Sequence, residues 1–223
     1  MKHRLATAVL LSALAQSALA DENRIYLLQV SSNPGNGNTL FVDQSNATGS
    51  LVHGIAPELV PPNTLANGTP AVQFGSRNRA TINLTGVGSE VRISQQGLPD
   101  NGSLTPGFSN RARVVSLGNN QVAELNQLGS NNTALIRLRP GDGTVGTLHQ
   151  FGDENKGTLK IRGENTQGTL IQNGNNIDSA LTVRARGADV TYKLNGNNIS
   201  APNGVVVVTN IGQVGPITIT QTQ

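Results

Sequence analysis

The sequence predicts an all-β protein: a β-solenoid, or β-helix, of stacked strand-turn-strand repeats about 22 residues long. Three observations predict it. One template, Q-x-G-x-x-N-x-(A/G), fits residues 73–80, 127–134 and 150–157, and a fourth copy opens at Gln172 and Gly174. Apolar and polar residues alternate on both sides of each copy, which is the period of a strand. Aromatic residues make up 3% of the chain and charged residues 13%, so a large aromatic core is excluded. A thin core, one side chain wide and repeated many times, is how so polar a chain can fold.

The elements follow in order. Lys2 and Arg4 precede an apolar run over residues 5–14, and the segment closes Ala18-Leu19-Ala20. This reads as a signal peptide over residues 1–20, cleaved after Ala20; the run is too short to span a bilayer, which takes about 18 apolar residues or more. The expected destination is outside the cell or on its surface, by way of the periplasm. Residues 21–68 read as an irregular N-terminal coil and cap: Ile25, Leu27 and Gln29 are answered by Asn38, Leu40, Val42 and Gln44, and residues 46–68 are Pro-rich and lose the alternation.

Residues 69–197 read as the body of the solenoid, with an insertion loop over residues 98–109. Before each turn the inward residues are Ala123, Leu125 and Gln127, then Gly146, Leu148 and Gln150, then Gly168, Leu170 and Gln172. After the turn they are Asn132, Ala134, Ile136 and Leu138, then Asn155, Gly157, Leu159 and Ile161. Residues 198–223 read as C-terminal strands, the last of them uncharged and of the kind that accepts another chain at its edge.

Three sets of residues carry the site expectations. Gly75, Gly97, Gly129, Gly152 and Gly174 stand where the chain must reverse tightly, which favours a residue free to take positive φ. Gln73, Asn78, Gln95, Gln127, Asn132, Gln150, Asn155 and Gln172 point inward. An inward amide without a partner costs about 1–3 kcal/mol, so identical amides are expected to bond along the stack as structural ladders, Gln127 to Gln150 and Asn132 to Asn155 among them. Arg139, Arg162 and Arg184 recur one period apart, and Lys160 follows Arg137 by one period, making a basic stripe. The stripe reads either as a contact for anionic polysaccharide, lipid or extracellular DNA, or as gatekeepers against lateral aggregation.

Catalytic chemistry is not expected. Histidine occurs only at His3, His53 and His149, and cysteine is absent. No metal or cofactor site is therefore predicted. Asp153 and Glu154 lie in a turn, where acidic residues serve local hydrogen bonds. Two Tyr and four Phe are too few for stacking platforms, so no specific nucleic-acid recognition is expected.

The repeat resembles that of the curlin family, Ser-x5-Gln-x-Gly-x-x-Asn-x-Ala-x3-Gln. Gln73, Gly75, Asn78 and Ala80 match its centre, as do Gln127, Gly129, Asn132 and Ala134, and the likeness extends over residues 70–183. The chain departs from the family at Gln121, Thr144 and Thr166, where the repeat has Ser, and at Leu84, Leu138, Ile161 and Val183, where it closes with Gln. The resemblance implies a secreted structural subunit of curli, an extracellular functional amyloid of biofilm matrix and surface adhesion. Its implied partners are further copies or paralogous curlin subunits, and the outer-membrane secretion machinery. The basic stripe resembles the minor, nucleating subunit more than the major one. Two other classes stay open: a monomeric surface β-solenoid acting as adhesin or glycan-binding module, and a parallel β-helix enzyme acting on polysaccharide.

Overall fold

The computed structural model describes residues 23–30, 37–55, 69–75, 77–97, 109–139, 141–163, 166–184, 187–207 and 216–223. The expected leader and insertion loop 98–109, apart from Ser109, lie outside these residues. In chain order the first strands are β1 (Arg24–Ile25), β2 (Leu27–Val30), β3 (Thr39–Thr48), β4 (Leu51–His53), β5 (Ala71–Phe74) and β6 (Arg79–Val87). Then come β7 (Glu90–Gln96), β8 (Arg111–Ser116), β9 (Val122–Leu128), β10 (Thr133–Arg137), β11 (Val145–Phe151) and β12 (Lys156–Ile161). The series ends with β13 (Gln167–Asn173), β14 (Asp178–Val183), β15 (Asp189–Asn195), β16 (Ser200–Val207) and β17 (Ile217–Thr222). No helix occurs among the described residues.

From β5 onward the chain visits two parallel sheets in turn. A ten-stranded sheet runs β1-β4-β7-β9-β11-β13-β15-β17, with β2 and β5 beside it; a seven-stranded sheet runs β16-β14-β12-β10-β8-β6-β3. Equivalent residues of the repeat pair directly. Leu125 is partner to Leu148 and Leu148 to Leu170, and all three are fully buried. On the other sheet Ile136 pairs with Leu159, and Leu159 with Leu181. Neighbouring strands lie about 4.8 Å apart, so each inward residue forms a column at that spacing. A Leu or Ile buried in such a column contributes about 1.5–3 kcal/mol.

Size is matched across the core. Gly146 packs where a Cβ would meet Ile161 Cδ1 at 2.8 Å and Leu138 Cδ2 at 3.0 Å, so the small residue on one sheet accommodates the large ones facing it. Burial alternates strictly along β9 and β11. That alternation is the pattern of a sheet with one face in the core and the other in water.

One expectation at the N-terminal end needs correction. The stretch from Asn46 is not irregular throughout: β3 continues to Thr48 against β6, and β4 pairs Leu51, Val52 and His53 with Glu90, Val91 and Arg92 of β7. β5 pairs with Ser94, Gln95 and Gln96 of the same strand. β4 and β5 together thus match one strand, interrupted between Gly54 and Pro70. Gly54 N–H donates to Thr69 O at 2.9 Å and closes the interruption, and a side chain at residue 54 would collide with the Pro70 carbonyl. A three-residue strand is too short for alternation to show in sequence. At the other end, β16 pairs with β14 and β17 with β15, each continuing its sheet. A register shift between Ser179 and Leu181 marks where β16 carries Pro202, which has no N–H to give the ladder.

Candidate functional site

The turns between the sheets hold two left-handed residues, not one. Gly75, Gly129, Gly152 and Gly174 have φ of 103°, 113°, 95° and 126°. The residue two after that glycine also has positive φ, 59° at Arg77, 57° at Asn131, 59° at Glu154 and 55° at Asn176, just before the inward Asn or, in the last case, Ile177. Sequence reasoning missed this second position. Its signal was the Asn at 131, 176 and 198, a residue tolerant of that region, hidden by Arg and Glu in other copies. The turns also stack on each other. Gly97 N–H donates to Phe74 O at 2.9 Å, Gly152 N–H to Leu128 O at 3.0 Å and Gly174 N–H to Phe151 O at 3.2 Å.

Asp153 belongs to this stacking. Its carboxylate accepts the Ser130 N–H at 2.7 Å, while its own N–H donates to Asn175 Oδ1 at 2.7 Å. Asn197 Oδ1 continues the series by accepting the Asn175 N–H at 2.8 Å. The residue therefore ties successive turns together.

The inward Asn residues clamp one level to the next through the backbone. Asn78 Oδ1 accepts the Asn110 N–H at 3.1 Å, Asn110 Oδ1 the Asn132 N–H at 3.0 Å, and Asn132 Oδ1 the Asn155 N–H at 3.0 Å. Each Nδ2 is spent on a turn carbonyl: Asn132 on Gly152 O at 2.8 Å, Asn155 on Gly174 O at 2.8 Å. The expected amide-to-amide pair between Asn132 and Asn155 is thus replaced by side chain to backbone. The short Asn side chain, already tied to its turn, reaches the next main chain before it reaches the next amide.

The Gln column behaves differently along its length. Gln29 Nε2 donates to Gln73 Oε1 at 2.6 Å, Gln73 to Gln95 at 2.7 Å and Gln95 to Gln127 at 2.8 Å. There the amide ladder stops. Gln127 Nε2 keeps the bond to Arg111 O at 3.2 Å, the counterpart of Gln73 to Thr39 O and Gln95 to Arg79 O, and Gln150 Nε2 donates to Asn155 O at 3.4 Å, leaving Gln150 Oε1 buried without a partner. The expected Gln127–Gln150 bond is absent from the described residues. The facing residue explains the change. Opposite the earlier members stand Ala80, Ala112 and Ala134, whereas Gly157 faces Gln150, whose Oε1 occupies the space a Cβ would fill. One level on, Ser179 Oγ donates to Gln172 Oε1 at 2.7 Å, the bond that Gly157 cannot give Gln150.

The outer faces differ in charge. On the seven-stranded sheet Arg79 pairs with Arg111, and Arg137 with Lys160, like charge beside like charge. Arg139, Arg162 and Arg184 follow β10, β12 and β14. Arg162 beside it lowers the Arg139 pKa, with burial, Arg137 and Arg184 adding to the effect. The one described ion pair on this face joins Lys156 to Asp178 at 3.8 Å. Arg79, Arg111 and Arg113 widen the stripe beyond the residues found by period.

The ten-stranded sheet carries a cluster that sequence reasoning did not find. His53 Nε2 lies 2.6 Å from Glu90 Oε1, Arg92 Nε 2.6 Å from the same oxygen, and Arg92 Nη1 3.6 Å from Glu124. The pairing of β4 with β7 brings them together across 37 residues of chain. The His53 hydrogen bond holds the Glu90 carboxyl down to about 2, against the burial that raises it and with Arg92 assisting. His149 stacks on Phe151 with ring centroids 6.2 Å apart, and burial lowers its pKa. Among the described residues no group of His, Cys, Asp or Glu is arranged to hold a metal ion.

Both ends of the sheets are open among the described residues. Ile25 and Leu27, which belong to inward columns, are 47% and 41% exposed. At the other end β17 and β16 present unpaired edges.

Two consequences are testable. Replacing Gly157 with Ser supplies the hydroxyl that Ser179 gives Gln172, and should raise the urea midpoint by about 1 kcal/mol of stability; a lower midpoint would show that the pocket cannot take the side chain. Because the folded pKa of Glu90 lies below its ordinary 4.5, the stability it adds is full above pH 4.5 and is lost as pH falls through about 2. Melting temperature measured over that window should fall less steeply for Glu90→Gln than for the unaltered chain.

Comparison with family models, with curated proteins and with solved structures gives no match.

Proposed function

We propose that the chain is a β-solenoid that assembles end to end as a secreted structural subunit of curli-like extracellular amyloid fibres, in biofilm matrix or surface adhesion. The observation that carries this reading is the pair of open ends. Among the described residues each presents the edge of parallel strands with inward apolar and amide side chains, which is the template another chain needs. The in-register backbone ladders add to it, because a further level extends the parallel pairing already made inside. Secretion through the outer membrane and partnership with paralogous subunits belong to the same reading and rest on the resemblance of the repeat.

The test uses the chain without residues 1–20, held at micromolar concentration. Thioflavin-positive fibres with a reflection at about 4.8 Å along the fibre axis are expected. A persistent monomer would select the second reading, a capped surface module binding glycans.

The cation face suits attachment of the fibre to an anionic polymer, since Arg139, Arg162 and Arg184 repeat with little acidic compensation. Binding to an acidic polysaccharide should weaken as salt rises, because exposed charges are screened over about 8 Å at physiological ionic strength. Replacing these three arginines with Ser should remove the salt-sensitive part; unchanged binding would leave them as gatekeepers only.

A further inference from the structure

The two sheets differ in depth. Among the described residues the first sheet is eight levels deep along β1-β4-β7-β9-β11-β13-β15-β17, and the second is seven, with β16 its last described strand. A stack of copies in which both sheets run on without a break needs equal numbers of levels. With β17 in place, a following copy whose β1 and β2 sat on it would leave one level of the second sheet empty. The β16 edge and the β3 edge of the next copy would then face a gap, with their backbone groups unpaired.

The side chains of β17 match those of the first strands. Ile217, Ile219 and Gln221 pair with Val190, Tyr192 and Leu194 of β15. Traced through the registers, Ile217 stands in the column that begins with Ile25, running through Val52, Val91, Ala123, Gly146, Gly168 and Val190. By the same tracing Ile219 stands in the column of Leu27, and Gln221 in that of Gln29. I-x-I-x-Q at the end repeats I-x-L-x-Q at the start. Among the described residues β17 is held by its backbone ladder, two half-buried Ile and a side-chain bond from Tyr192 Oη to Gln221 Oε1 at 3.0 Å.

We infer that β17 is an internal placeholder: it covers the β15 edge that receives β1 and β2 of the next copy, and its release admits that copy. The inference rests on the assembly reading above. With β17 released, both sheets end at the same level. Ile25 of the arriving copy then lies on Val190, Leu27 on Tyr192 and Gln29 on Leu194, while β3 reaches β16 in the same step. Chains with β17 docked are held as monomers, and growth is limited by the fraction that has opened.

Because the chain has no cysteine, the strand can be locked cleanly. Lys193 and Thr220 are register partners, and adjacent strands at about 4.8 Å fall within the Cα separation a disulfide spans. The Lys193→Cys/Thr220→Cys chain should have a lag about tenfold longer or more when oxidised, and the unaltered lag when reduced. A Lys193→Cys chain mixed with a Leu28→Cys chain should cross-link between copies as fibres form. Equal lags for the oxidised and reduced forms would overturn the placeholder and leave the assembly reading standing. Absence of fibres from the unaltered chain would overturn both.

Discussion

Every part of this molecule depends on parallel strands stacking in register, so that each residue lies over its equivalent one repeat away. A one-residue slip would move the Leu125, Leu148 and Leu170 column from core to solvent, because side chains alternate sides along a strand. The columns of Gly146 and Gly168 would move with it, and the large residues facing them would lose their space. Register is therefore enforced by shape as well as by hydrogen bonds. With no disulfide available and little aromatic surface, this repetition is what replaces a thick core.

The same constraint makes polar residues tolerable inside. An isolated buried Asn would be a liability, but a column of them ties each level to the one above through main-chain N–H groups. The turn geometry belongs to this arrangement. Gly129 and Asn131 both take positive φ, which sets Asn132 where its Nδ2 reaches the carbonyl of the turn beyond. Where one member of the scheme is lacking, as at Gly157, the effect is local: one amide oxygen loses its partner and the adjoining level restores the pattern with Ser179.

The two faces divide the remaining chemistry. Arginine and lysine collect on the seven-stranded sheet, where like charges at rung spacing repel. The open ends of the described sheets, by contrast, are lined inside by apolar and amide side chains rather than charge. The opposite face carries Glu90 and its partners, a cluster in which the carboxylate is held ionised by His53 and Arg92.

The sequence by itself determined the period, the strand positions between residues 71 and 195, which residues face inward and where glycine turns fall. These follow from local chemistry repeated at a constant interval: alternation is legible within one strand, and equivalence within one period. Tertiary structure decided the rest. Gln127 Oε1 accepts from Gln95, whereas Gln150 Oε1 occupies the space beside Gly157, where the preceding repeat has the methyl group of Ala134. β4 and β5 became one interrupted strand only because β7 offers an edge long enough for both. His53 met Glu90 by that same pairing. The unequal depth of the two sheets among the described residues is likewise invisible in any one repeat, since it is a count of levels across many of them. Periodicity states which residues are equivalent; distances of a few ångströms between levels decide which of them touch.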